Sequence, residues 1–261
     1  MKYYCVMKQL LLSFICVISL AVSVSATPTT VIVRARAKDA KFIGTGMGGA
    51  YVVIRNVQTG EVMIKGVTTG NSGNTQLLLQ SSIKRYQALT DKETAKFEAS
   101  LDLTEPVFVE VEVTAPVTRK NASVKGTVQL WLIPGKHVEG DGIIIELPGL
   151  IVDMLQPTTH EIFPVASLTN NEYTFRTSVT MLCGCTITKG GIWDADGIEV
   201  GAIIRKDGKE LMQVKLALTD KANIFQGIIP SPSKGLYQIT VYAFERATGN
   251  TGVDQTNFVI Q

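Results

Sequence analysis

From residue 27 onward, apolar and polar positions alternate in short runs bounded by Gly, Asn, Asp and Pro. That period-two pattern marks antiparallel strands with one face buried and one in water. In the first half it predicts strands over 30–37, 50–56, 61–68, 76–80, 107–114, 123–133, 143–147 and 150–155. In the second half the runs are 173–182, 198–206, 210–218, 224–229, 236–245 and 253–260. The clearest is 107–114, where Val107, Val109, Val111 and Val113 share one face and Phe108, Glu110 and Glu112 share the other. Val57-Gln58-Thr59-Gly60 predicts a tight turn. Lys206-Asp207-Gly208-Lys209 predicts a two-residue hairpin, because Asp-Gly tolerates the positive φ of a primed turn. Only 89–101 reads as a short helix, with Asp91 as its cap and Phe97 and Leu101 four apart.

The pattern differs at two places. Residues 1–26 carry Lys2 and Lys8 ahead of an apolar run from Leu10 to Val24, then small residues at Val24-Ser25-Ala26. This predicts a secretory signal peptide cleaved before Thr27, since about 15 apolar residues fall short of the ~20 that span a bilayer. Residues 156–172 are polar and turn-rich. They divide the chain into a first domain over 27–157, a linker over 158–172 and a second domain over 173–261. The expected fold class is all-β: two immunoglobulin-like or transthyretin-like β-sandwiches after an N-terminal signal peptide.

Composition narrows the function. The chain has 261 residues, 45% hydrophobic and 18% charged, with 25 basic and 23 acidic side chains. Loss of Lys2 and Lys8 with the leader leaves 23 of each, so no net charge argues for a nucleic-acid partner. A processed chain would work in the periplasm or outside the cell, where thiols oxidise, with no membrane span. Its expected partner is a protein or a cell-surface component.

Gly49-Ala50-Tyr51-Val52-Val53-Ile54, Thr59-Gly60-Glu61-Val62, Gly66-Val67-Thr68-Thr69-Gly70 and Gly73-Asn74-Thr75 resemble the transthyretin-like, carboxypeptidase-regulatory-like class of small β-sandwiches. Residues 235–244, Gly-Leu-Tyr-Gln-Ile-Thr-Val-Tyr-Ala-Phe, are similar to the penultimate strand of immunoglobulin-like bacterial domains. In those domains an early tyrosine anchors a corner through its hydroxyl. The resemblance implies extracytoplasmic modules that bind or hold, and no particular activity.

Cys183-Gly184-Cys185 holds the cysteines that remain after leader removal. In a straight strand their Cβ atoms would lie too far apart for a disulfide, but Gly184 can supply a bend. The alternatives are two buried thiols, or two thiolates on copper with Met181 and His160 in support. Trp193-Asp194-Ala195-Asp196-Gly197 matches the opening of a calcium loop but lacks the closing glutamate, with Arg205 at that position. It reads as a turn with Trp193, Asp194 and Asp196 in a binding loop. His137, near Glu139 and Asp141 in a glycine-rich loop, joins that binding-loop set or serves as a general base. With two histidines in the chain and no G-x-S-x-G nucleophile motif, no catalytic residue is assigned. The expected function is a non-catalytic binding or structural module without a cofactor. A copper-handling protein is the first alternative and a secreted hydrolase the second.

Overall fold

The structure is a computed structural model that describes residues 25–261. The expected signal peptide lies outside the described residues, apart from Ser25 and Ala26. In chain order the strands are β1 (Thr27–Ala37), β2 (Tyr51–Asn56), β3 (Val62–Val67), β4 (Phe97–Leu103), β5 (Val107–Ala115), β6 (Val124–Leu132), β7 (Val138–Leu147), β8 (Leu150–Gln156) and β9 (Glu161–Phe163). There follow β10 (Glu172–Met181), β11 (Ile187–Thr188), β12 (Trp193–Asp194), β13 (Ile198–Lys206), β14 (Lys209–Lys215), β15 (Ala217–Leu218), β16 (Ile224–Pro230), β17 (Gly235–Glu245) and β18 (Asn250–Ile260). The chain is all-β, as its alternation requires.

In the first sandwich, a three-stranded sheet ordered β4-β1-β7 faces a four-stranded sheet ordered β3-β2-β5-β6. The β1–β7 pairing is parallel and the other pairings are antiparallel. Val109, Val111 and Val113 of β5 are buried between the sheets, leaving the Phe108 face of that strand outward. In the second sandwich, sheet β15-β16-β10-β8 faces sheet β14-β13-β17-β18-β9. Asp207 and Gly208 both have positive φ at the β13–β14 hairpin. The Tyr237 hydroxyl donates to the Ser233 carbonyl at 2.9 Å, a corner contact four residues upstream.

Three expectations are corrected. The helix over 89–101 does not form. The Asp91 carboxylate instead accepts from the backbone N–H and the hydroxyl of Thr94, closing a local turn. Residues 97–103 then run as β4, with Ala99, Leu101 and Leu103 buried. A spacing of four fits both a helical turn and two strand repeats, so Phe97 and Leu101 did not discriminate. Residues 76–80 are not a strand but a single π-helical turn (Gln76–Gln80). Asn74 winds it: its side-chain oxygen accepts from Leu77 N–H and its carbonyl from Leu78 N–H.

The third correction is the division of the chain. β8, expected in the first domain, pairs antiparallel with β10 of the second sandwich. The expected linker contains β9, which pairs in parallel with β18. The changeover therefore falls at Pro148-Gly149, between β7 and β8. Gly149 has φ +138° there, and its N–H donates to the Asn250 side chain at 2.9 Å. The polar stretch at 156–172 crosses from one sheet of the second sandwich to the other, which demands the same turn residues as a linker.

Candidate functional site

The cysteines form a disulfide with an S–S distance of 2.07 Å. β10 ends at Met181, and Gly184 N–H donates to the Met181 carbonyl at 2.8 Å. Gly184 has φ +75°, so the chain bends and the two Cα atoms close to 5.3 Å. A Cβ on Gly184 would lie 2.5 Å from the Met47 sulfur, so a larger residue would have to displace the Met47 side chain of the first sandwich as well as hold the left-handed φ. Loop-closure entropy for so short a ring gives only about 1.6 kcal/mol. The bond's structural effect is local, shaping the turn rather than bracing the fold.

This corrects the copper arrangement. The thiolates it required are consumed in the S–S bond. Met181 is fully buried in the core. His160 lies beyond the opposite end of β8 from Met181. Met181 pairs with Leu150 and Arg176 with Gln156, a run of about 17 Å along the strand before His160 is reached. Among the described residues, no group of three His, Cys, Asp or Glu side chains is placed to hold a metal ion.

Trp193 is not an open binding side chain. It is 8% exposed, and its indole N–H donates to the Asp39 carbonyl of the first sandwich at 2.9 Å. The short parallel pair β11–β12 positions it. Asn223 anchors that pair by accepting from Ile187 N–H at 2.7 Å and donating its own N–H back. Asn250 adds a second bond across the junction, from its side-chain amide to the Lys38 carbonyl at 3.1 Å. Arg119 adds a third, to Asp153 at 3.3 Å. One connected cluster of buried hydrophobic residues runs through both sandwiches. Burial pushes the Asp39 carboxyl above the usual aspartate value, and the nearby Glu245 charge pushes the same way.

The remaining predicted residues divide. Asp194 caps the turn at 195–197, accepting from Gly190 N–H and Asp196 N–H, and these bonds hold its carboxyl below the ordinary range. Asp196 borders an open cleft of about 820 Å3 with Lys189, Glu199, Lys215 and Arg246 at its rim and Leu216 and Phe225 in its floor. His137 Nδ1 accepts from Thr30 N–H at 3.0 Å. Asp141 accepts from Leu89 N–H and from the N–H and hydroxyl of Thr90. The histidine and the nearby carboxylate therefore hold separate backbone segments and do not form an acid–base pair.

One exposed feature escaped the sequence assignments. Phe108 of β5 and Trp131 of β6 are cross-strand partners on the outward face, with ring centroids 5.1 Å apart. Trp131 is 56% exposed. The next row of that face pairs Arg55, Glu110 and Gln129 across β2, β5 and β6, and Gln129 donates to Glu110 at 3.1 Å. The signal was available: alternation puts Phe108 and Trp131 on the polar faces of their strands.

The strand pairing defines an all-β protein of two linked β-sandwiches. No protein-family model matches the chain, and no curated protein matches it. Among solved structures, the fibronectin(III)-like modules of Clostridium thermocellum CbhA are similar at 8% identity over 90% of this chain and 94% of that one, with a TM-score of 0.28. The titin domains z1z2, in complex with telethonin, are similar at 10% identity over 90% of this chain and 96% of that one, with a TM-score of 0.26. An engineered protein is similar at 17% identity over 50% of this chain, with a TM-score of 0.31, and the matched part spans 24% of its length. Likeness at these scores carries no argument about function, and the fold assignment stands on the pairing itself.

Proposed function

We propose that the chain is an exported, non-catalytic binding or structural module of the periplasm or cell exterior. The observation that carries this reading is how the conspicuous side chains are used. Cys183, Cys185, Trp193, Asp194, His137 and Asp141 each bond to another sulfur or to backbone groups that fix loops and the junction. The aromatic pair Phe108–Trp131 is instead open on a sheet face, where exposed rings serve recognition. Two sandwiches tied through Trp193, Asn250 and Arg119 act as a stiff support that presents this face. A disulfide within Cys183-Gly184-Cys185 agrees with an oxidising compartment.

Fractionation of cells expressing the full chain, followed by N-terminal sequencing, tests the compartment. The expected product is extracytoplasmic and begins at Thr27. Full-length protein in the cytosol with reduced cysteines overturns the reading.

A further inference from the structure

We infer that the outward face of sheet β3-β2-β5-β6 binds an uncharged glycan, with one sugar ring stacked on Trp131. This rests on the binding-module reading and names its ligand class. A pyranose presents a face of C–H bonds and a rim of hydroxyls. The protein offers the complement in two adjacent rows. The first is the Phe108–Trp131 pair, with Trp131 turned to solvent and Phe108 holding it from the neighbouring strand. The second is Arg55, Glu110 and Gln129, one strand repeat of about 7 Å away, within reach of hydroxyls on a ring seated on the indole. That row supplies N–H donors and carboxylate and amide acceptors, so hydroxyls can both give and receive hydrogen bonds.

Two features select a sugar over other occupants. In the row beside the aromatics Arg55 lies opposite Glu110, and farther along the face Lys125 pairs with Glu112 at 2.9 Å in a row that Lys65 shares, so the face mixes both signs and has no block of one charge that would call for an ionic ligand. The apolar part is small. Around the indole it consists of the two rings bordered by exposed Val57 and Ile133, with Val62 at the end of the second row, while Tyr51 and Val67 lie apart at the far end of the face. A tryptophan contributes about 150–250 Å2 in all, against the ~800 Å2 per partner of a stable protein interface. A few sugar rings match that scale.

Affinity electrophoresis of the exported protein tests this, using gels that contain soluble β-glucan, xylan, mannan or dextran in turn, with chitin oligomers examined by calorimetry. The expected result is retention by at least one of these probes. Trp131→Ala should weaken it at least about tenfold, and Trp131→Phe should hold it within about threefold. Trp193→Phe should leave it unchanged, and circular dichroism of each variant confirms folding. No retention of the wild-type protein by any probe, or full retention of a folded Trp131→Ala protein, overturns the inference. If Trp131→Ala instead abolishes capture of a protein partner while no glycan binds, the glycan inference falls and the module reading stands. Protein confined to the cytosol would remove both.

Discussion

Asp39 shows how one residue can serve the junction and cost stability at once. Its carbonyl accepts from Trp193, and its backbone has φ +54°, a conformation Asp and Asn tolerate better than most residues. Its carboxyl is pushed above the ordinary aspartate value by burial, then by Glu245. A raised acid favours the protonated form in the folded state. Its contribution is therefore fully present below the ordinary aspartate value and is lost as pH rises through the raised one. Asp39→Asn keeps the shape and the backbone preference but cannot ionise. The variant should gain stability over the wild-type protein between about pH 3 and about pH 7, read from urea midpoints at both. An Asp39→Asn protein less stable than wild type at neutral pH would show that the carboxylate is needed there.

Elements in this chain depend on side chains that take over backbone bonding where strands stop. Arg34 of β1 is 2% exposed, and its guanidinium donates to the carbonyls of Thr94, Ala95, Asp141 and Gly140. Burial lowers its pKa, while Asp141 and Asp91 oppose that shift. One fork thus ties the segment leading into β4 to the bulged start of β7. Arg34→Met fills much of the same volume but leaves those carbonyls without a donor, so it should cost about 3–5 kcal/mol in denaturant unfolding. Amide exchange should rise first around residues 89–96. A loss below about 1 kcal/mol would show that the segment is held by its own turn at Asp91–Thr94.

The same segment marks the limit of what alternation conveys. β5, β13 and β17 were legible because a period of two over seven or more residues admits one interpretation, and the Asp207-Gly208 turn was legible from its chemistry. β4 was not, since residues four apart satisfy two periods. The turn at Gln76–Gln80 was not, since Asn74 decides it from outside the apolar run.

At the scale of the molecule, the sequence placed the division of the chain where polarity was greatest, whereas the strands divide at Pro148-Gly149. Nothing local says that β8 belongs with β10, because pairing is a long-range choice. The candidate site reversed for a related reason. Trp193, Asp194 and the Cys-Gly-Cys turn look exposed in a loop-rich stretch, but the first sandwich covers Trp193 and Met47 packs on Gly184. Trp131 looks like part of an ordinary strand, yet among the described residues no layer covers it. The strand assignments for residues 107–114 and 123–133 already contained that fact, since an aromatic in phase with Glu110 and Gln129 must share their solvent face.

In the proposed function, recognition sits on an open sheet face while the conspicuous loop is spent on joining two sandwiches. The two tryptophans of the chain test it directly through acrylamide quenching of the single-tryptophan variants Trp131→Phe and Trp193→Phe. Trp193, left alone, should be shielded and emit to the blue, while Trp131, left alone, should be readily quenched and emit to the red. Free quenching of Trp193 together with shielding of Trp131 would contradict it.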